Sequence, residues 1–233
     1  MRKLCLIVIC VVFCSTSVFS REYKSLDKWA YKTPVSAEKS IETLAEYLKK
    51  APNKGKLSED EAKARLAYAW IVSHILYDDF RMRQIEDMNK KKSKGREQVK
   101  ATRIVNDDIF ITRVGVCGDI AMLYVRLAKA MGLEAVYISG KSQGEKHAWN
   151  AVKVDGQWRL LDATWDVADK PLFQRVDNIR EYEREIAKRE RKLNKNFGTT
   201  TERKKKSKNK WFFVKPKVMI KTHTPNDVKW RLF

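Results

Sequence analysis

Apolar residues recur at helical spacing in two segments of the first third of the chain, residues 36–50 and 58–77. The apolar face of the first segment consists of Ile41, Leu44, Ala45 and Leu48. The apolar face of the second consists of Ala62, Leu66, Ala69, Trp70 and Leu76. Ser36 can cap the first helix, and Ser58 with Glu61 forms a capping box for the second. We therefore predict two amphipathic helices, followed over residues 78–100 by a solvated loop or a short exposed helix.

A third helix is predicted to begin at or just after Cys117 and to stop at Gly132. The apolar period then changes to that of strands. Asp155-Gly156 is a strong hairpin signal, because both residue types tolerate the positive φ of a tight turn. The predicted strands are residues 133–139, 147–154 and 157–162. Helices and an antiparallel hairpin in this order indicate an α+β fold.

Residues 174–210 are highly charged and end in a basic run. Acids and bases alternate over residues 181–193, which favours an exposed helix within a solvated segment and flexible linker. Residues 211–220 return to an apolar, strand-like composition and are expected to dock on the core. We divide the remainder into an N-terminal helical segment, residues 21–57, and one domain, residues 58–233, with 174–210 as a basic insertion.

The first twenty residues have the pattern of a signal peptide. A positive start at Arg2 and Lys3 precedes an apolar run over residues 4–13, which is too short to span a membrane. Cleavage near Ser20 would release a secreted, periplasmic or cell-surface protein without a transmembrane anchor. Cleavage before Cys14 with lipid attachment is a less favoured alternative, because a bulky phenylalanine precedes it.

The formal net charge is +20, and 33% of the residues are charged. A surface this basic favours anionic partners, such as an acidic protein surface or an anionic cell-envelope polymer. Nucleic acid is the less favoured anion, because the chain has no recognisable reading motif and is expected to be exported.

Four cysteines are present, and three of them lie in the segment expected to be removed. The mature chain would keep Cys117 alone. An exported protein normally uses cysteines in pairs, as disulfides. A single remaining thiol is therefore either a small buried hydrophobe or a reactive group.

Strand alternation brings an imidazole and a carboxylate together at the predicted hairpin. Counting back from the turn places His147 opposite Thr164 and Trp149 opposite Asp162. Side chains on a strand alternate faces, so all four point to one side. Asp162 is then the diagonal neighbour of His147, at a Cβ separation of roughly 7 Å. A carboxylate there can hold one ring nitrogen and fix the tautomer.

Cys117 lies between Gly115 and Gly118, where a loop meets the predicted helix. The first N–H groups of a helix are unpaired and favour negative charge, and the thiolate is the reactive form of cysteine. The glycines let the backbone and a substrate come close. A cysteine at a helix start, facing a histidine backed by an aspartate, has the pattern of an activated nucleophile, its base and its orienter.

Three motifs in this order resemble the core signature of the transglutaminase-like superfamily: residues 115–122 (GVCGDIAM), 147–150 (HAWN) and 158–166 (WRLLDATWD). Residues 70–78 are similar to the family's helix before the nucleophile. Residues 211–233 are similar to tails of a subgroup related to the kyphoscoliosis peptidase. The resemblance implies a papain-like α+β fold, acyl transfer through a thioester, and a catalytic triad of Cys117, His147 and Asp162.

Further candidates surround this triad. The Gly118 backbone N–H and the Tyr77 hydroxyl are oxyanion candidates, although core packing is the favoured interpretation of Tyr77. Trp149 and Trp165 are expected to wall the cleft, and aromatic core packing is the alternative. His223 is a cleft candidate because the family tail carries a similar histidine. The histidines and the cysteine show no metal-ligand spacing, so we predict neither a metal nor a cofactor.

Two further residues are predicted to be structural. His74 is a packed or surface helix residue. Asn150 points away from His147 by strand alternation.

The leading hypothesis is a cysteine-dependent acyl-transfer enzyme that acts on protein or peptide amides, either a transglutaminase or a thiol protease or amidase. The sequence does not choose between these reactions. The alternative is a non-catalytic binding module, in which basic segments around residues 90–94 and 203–210 hold an anionic partner.

Overall fold

The structure is a computed structural model that describes residues 23–52, 55–93, 109–167, 178–195 and 210–231. The predicted signal peptide and the Cys14 alternative lie outside the described residues. So do most of the basic run that ends the insertion and the linker before it. No helix in the described part of the chain is both long enough and apolar enough to cross a membrane.

The helices are α1 (Lys24–Tyr31), α2 (Ile41–Lys49), α3 (Glu59–His74), α4 (Asp79–Ser93), α5 (Ile109–Thr112), α6 (Cys117–Ala130), α7 (Ala163–Val167), α8 (Ile179–Lys195) and α9 (Pro216–Met219). The strands are β1 (Leu76–Tyr77), β2 (Val114–Gly115), β3 (Ala135–Ser142), β4 (Glu145–Val154), β5 (Gln157–Leu161) and β6 (His223–Pro225). Short 3₁₀ segments occur at Val35–Ala37 and Val228–Arg231. The mixed composition confirms the predicted α+β class.

Helix α3 is the centre of the helical layer and is buried over most of its circumference. Helix α1 packs on it, and α6 packs between α3 and the sheet. The side chain of Arg65 in α3 is fully buried, and its guanidinium donates two hydrogen bonds to Asp27 of α1, at 2.7 and 2.8 Å. The N-terminal helices are therefore part of the same core as the central helix.

The cap of the first predicted helix differs from expectation. Helix α2 begins at Ile41, and its cap is Ser40, whose hydroxyl accepts from the Thr43 N–H at 3.2 Å. The predicted cap, Ser36, lies in a 3₁₀ segment instead, because Ser40 and Thr43 satisfy each other's backbone groups reciprocally. Ser58 caps α3 as predicted, at 3.1 Å from the Glu61 N–H, but the Glu61 carboxylate accepts from the Tyr23 hydroxyl and does not complete the predicted capping box.

The second predicted helix was too long at its end. Helix α3 stops at His74, and β1 pairs in parallel with β2, so Leu76 lies opposite Val114. The segment after β1 confirms the helical alternative, since α4 begins at Asp79. The short β1–β2 pair matters because β2 leads directly into the cysteine helix.

A four-stranded antiparallel sheet in the order β5-β4-β3-β6 forms the other layer. The predicted hairpin is present, with Val154 opposite Gln157 and positive φ at Asp155 and Gly156. The pairing ends at Asn150 opposite Leu161. The predicted pairing of His147 with Thr164 was therefore wrong, because Thr164 lies in α7; His147 lies opposite Gly140 of β3 instead.

The segment 211–220 docks on the core as predicted but is not a strand. Trp211, Phe212 and Val214 are buried, and Val214 forms an isolated bridge to Leu160. The chain then turns into α9, because Pro216 at the start of that helix favours helical φ. Helix α8 confirms the exposed helix predicted within the insertion, and its buried Tyr182 donates to Asp78 at 2.5 Å.

Candidate active site

Cys117 is the first residue of α6 and is partly exposed. The turn before it is held by Asp119, whose carboxylate accepts from the Val116 N–H at 3.1 Å and from Arg81 at 2.5 Å. Gly115 leaves room for the Ile109 side chain, because a Cβ there would lie 2.4 Å from the tip of that side chain. Cys117 thus begins a helix, as the sequence predicts. Gly115 allows α5 to pack closely against β2.

His147 and Asp162 meet where β4 extends past the end of β5. Asp162 is the residue directly after β5, and its Oδ2 lies 2.7 Å from His147 Nε2. The carboxylate side chain is 1% exposed and the imidazole 10%. The bond to Nε2 leaves the other ring nitrogen, Nδ1, for a partner on the cleft side.

Cys117 interacts electrostatically with His147. A hydrogen bond between Cys117 and His147 is among the causes that set the pKa of His147. Burial lowers this pKa, but the hydrogen bonds and the charges of Asp162 and Cys117 outweigh burial and raise it to about 9. At neutral pH the imidazole is thus positioned and charged to stabilise a thiolate and to release a proton.

The same oxygen of Asp162 accepts a second hydrogen bond, from another imidazole. His223 Nε2 lies 3.0 Å from Oδ2, and the Thr164 N–H donates to Oδ1 at 2.9 Å. Burial alone raises the pKa of Asp162, but hydrogen bonds from His147 and His223 and their charges lower it overall. The carboxylate is therefore ionised while it orients His147.

His223 is enclosed by indole rings. It lies 4.9 Å from Trp149, 5.0 Å from Trp165 and 5.5 Å from Trp211, measured between ring centroids. Trp149 is 2% exposed and stacks behind His147 at 6.1 Å, so it backs the imidazole, whereas Trp165 is only partly buried. Of the two predicted wall residues, Trp165 is the one open to solvent.

Gly140 makes this arrangement possible. A Cβ at this position would lie 2.3 Å from the Thr224 carbonyl oxygen and 2.6 Å from the Trp149 ring. The missing side chain therefore lets Trp149 lie over β3 and lets β6, which carries His223, pair closely with it.

Two phenols flank the cysteine. Burial and, next, the negative charge of Cys117 raise the pKa of the predicted oxyanion candidate Tyr77. The same two causes raise the pKa of Tyr137, whose hydroxyl lies 3.4 Å from where a Gly118 Cβ would stand. Sequence reasoning missed Tyr137, which lies opposite Asn150 on the helix-facing side of the sheet.

The two residues predicted to be structural have structural contacts. Asn150 donates to the Ala121 carbonyl of α6 at 2.9 Å and to Val136 of β3 at 3.2 Å, so it joins the helix to the sheet. His74 stacks on Trp70 and lies 3.3 Å from Glu38, in a separate cluster.

Among the residues that the structure describes, one group of side chains could hold a metal ion. The ligand atoms of His147, Asp162 and His223 lie within 4.8 Å of one another. Both nitrogen–oxygen separations, 2.7 and 3.0 Å, are those of hydrogen bonds, which account for the cluster without an ion.

A helix that starts with a cysteine and packs on an antiparallel sheet carrying a histidine, with an aspartate at the end of the neighbouring strand, defines the papain-like α+β class. Residues 43–163, more than half of the chain, match the sequence model of the transglutaminase-like superfamily. The chain belongs to this family, as its motifs indicated. The matched segment contains Cys117, His147 and Asp162.

Relatives in the same family include the kyphoscoliosis peptidases. The human protein is 27% identical over 163 residues, which is 65% of this chain and 22% of that protein. The mouse protein is 30% identical over 118 residues, 46% of this chain and 16% of that protein. The chain thus matches less than a quarter of the length of these relatives.

Two solved structures are also similar. One is a candidate cysteine protease from Cytophaga hutchinsonii, with 19% identity, a TM-score of 0.36, and coverage of 60% of this chain and 42% of that one. The other is described as a TGase, with 14% identity, a TM-score of 0.37, and coverage of 75% and 39%.

Proposed function

We propose that this protein is an exported cysteine-dependent acyl-transfer enzyme that acts on protein or peptide amides through a thioester. The observation that carries the proposal is the position of His147. Its Nε2 is held 2.7 Å from a buried carboxylate, and the interaction of the ring with Cys117 is among the causes that raise its pKa. This arrangement supports the roles of nucleophile for Cys117, base for His147 and orienter for Asp162.

In the proposed reaction the Cys117 sulfur forms a bond to the amide carbonyl carbon, and the carbonyl oxygen becomes an oxyanion. Backbone N–H groups at the start of α6, including that of Gly118, and the Tyr77 or Tyr137 hydroxyl are its candidate donors. As the C–N bond breaks, His147 passes its proton to the departing amine. The acyl group remains on sulfur as a thioester.

The second half of the reaction decides the enzyme class. His147 removes a proton from water or from an incoming primary amine, which attacks the thioester and frees the thiolate. Water gives hydrolysis, as in a protease or amidase, and a lysine amine gives a crosslink.

The test compares the wild-type protein, from Arg21 onward, with Cys117→Ala, using casein and a labelled primary amine. Amine incorporation or casein cleavage by the wild type, and neither by Cys117→Ala, is the expected result. Equal activity of the two proteins would refute the proposal. In parallel, iodoacetamide should alkylate Cys117 more slowly in His147→Ala than in the wild type; equal rates would show that the imidazole does not act on the sulfur.

A second candidate function is non-catalytic binding of an anionic partner, an acidic protein surface or an anionic polymer. It is favoured by Arg180, Arg184 and Arg191, which line one groove along exposed α8. Full biological activity of Cys117→Ala, together with weakened retention of polyanions by Arg184→Glu, would support this function over catalysis.

A further inference from the structure

Two lysines face each other beside the catalytic candidates. Lys141 of β3 lies directly opposite Lys146 of β4, and His147 is the next residue along β4. Both lysines are exposed, and neither forms an ion pair within the described part of the chain. Like charges directly opposite on antiparallel strands destabilise the sheet. The fold therefore retains an unfavourable pair next to its reactive centre.

The other end of the same hairpin is built differently. There Lys153 meets Glu134 across the strands, at 3.1 Å. The lysine at the end remote from His147 is thus neutralised, whereas the two lysines at the near end are not. The difference points to a role for positive charge at the site.

Strand alternation places the lysine pair on the face that carries Cys117's helix. Lys141 shares its face with Tyr137, and Tyr137 reaches Gly118 in the first turn of α6. Strand β3 follows α6 after a short turn and runs back along the helix toward the helix N-terminus. Four residues beyond Tyr137, roughly 13 Å along the strand, Lys141 projects past the start of the helix.

Two of the acidic groups nearby are already bound to other partners. The Asp119 carboxylate is bound by Arg81 and by the Val116 N–H. Asp162 is buried between two imidazoles. Glu145 lies on the opposite face of β4 from Lys146, the face that also carries His147. The two ammonium groups therefore present positive charge on the helix-facing side of the sheet, beyond the start of α6.

We propose that Lys141 and Lys146 select substrates with acidic side chains within about four residues of the reacting amide. The inference rests on the proposed function, because it assigns the substrate class of the same site. Exposed ion pairs are individually weak and are screened by salt, so the preference is expected to be about three- to tenfold at low ionic strength.

Two peptides that alkylate thiols, identical except for Asp-Asp or Asn-Asn beside the reactive chloromethyl ketone, provide the test. The second-order rate of labelling at Cys117 is followed by intact mass. The wild type should react about three- to tenfold faster with the Asp-Asp peptide, and 0.5 M NaCl should reduce the difference. Lys141→Glu with Lys146→Glu should reverse the preference.

Lys153→Glu with Lys229→Glu is the matched control, because it changes the net charge equally at exposed positions away from the site. It should keep the wild-type preference. Equal labelling by both peptides, or a preference that follows net charge in the control, would overturn the acidic substrate class while leaving catalysis intact. Failure of both peptides to label Cys117, or equally fast labelling of His147→Ala, would overturn the proposed function as well.

Discussion

The imidazole of His223 lies 3.0 Å from the same Asp162 oxygen that holds His147. Its other nitrogen, Nδ1, lies 2.8 Å from the Thr222 hydroxyl. The simplest assignment has Thr222 donating to Nδ1 and His223 Nε2–H donating to the carboxylate. Asp162 is thereby fixed from two sides, which restricts the position from which it can orient His147.

Replacing His223 tests that restriction. His223→Phe fills the site but removes a charge-assisted donor, worth about 1.5–3 kcal/mol. Acyl-transfer activity should fall by roughly ten- to a hundredfold. His223→Gln keeps an N–H donor near the Nε2 position and should recover part of the loss. Equal activity of the Phe and Gln variants, both folded by circular dichroism, would show that the hydrogen bond has no part in catalysis.

The pH dependence follows from the raised pKa of His147. Its folded value of about 9 lies above the usual unfolded value of about 6.5. The stability it contributes is therefore complete below pH ~6.5 and is lost as pH rises through about 9. Activity that needs the imidazolium should decline over the same upper range.

The Asp162→Asn variant tests whether Asp162 sets this pH dependence. It removes the carboxylate whose hydrogen bond and charge raise the pKa of His147, so the alkaline limb of the pH–rate profile should move to lower pH. NMR titration of the labelled imidazole should show the same direction. An unmoved limb and an unchanged titration would contradict the assignment of the ion pair.

Gly140 should tolerate no side chain. A Cβ 2.3 Å from the Thr224 carbonyl would force β6 or the Trp149 ring to move, and overpacking of this kind costs about 1–3 kcal/mol. Gly140→Ala should lower the free energy of unfolding by that amount. Gly118→Ala, where the nearest atom is 3.4 Å away, is the control and should leave stability close to the wild-type value.

Asp27 should be essential to stability although it lies in the N-terminal helix. Its carboxylate binds the guanidinium of Arg65, whose side chain is 0% exposed. Removal of one partner leaves a buried charge uncompensated, at a cost of about 3–5 kcal/mol. Asp27→Ala should therefore lower the denaturant midpoint strongly, whereas Asp227→Ala, in an exposed pair with Lys229, should change it little.

Local signals in the sequence predicted the central part of the fold. The Asp155-Gly156 turn fixed the register of β4 and β5, and therefore brought Asp162 to the end of β5 beside His147. The start of the cysteine helix was equally predictable, because Gly115 and Gly118 mark a loop-to-helix junction.

The rest of the site depends on contacts between distant parts of the chain. His223 joins Asp162 across 61 residues, and β6 is held by pairing with β3. A pattern with period two or 3.6 carries no information about such a contact. The same limit explains the segment from Trp211, whose apolar composition reflects burial against β5 and not membership of a strand.

Competing local signals explain the smaller errors. Ser36 and Ser40 are both suitable caps, and the reciprocal bonds with Thr43 decide for Ser40. Helix α3 was extended too far because Leu76 continues its apolar spacing, although that residue pairs with Val114.

The indole rings around the two imidazoles give the protein an optical reporter. Trp149, Trp165 and His147 are in ring contact, with centroids 6.1 and 6.4 Å from the histidine. Protonated imidazole quenches nearby tryptophan emission, so intrinsic fluorescence should brighten as His147 loses its proton. Occupancy and protonation of the centre could then be followed in unlabelled protein, without any knowledge of its natural substrate.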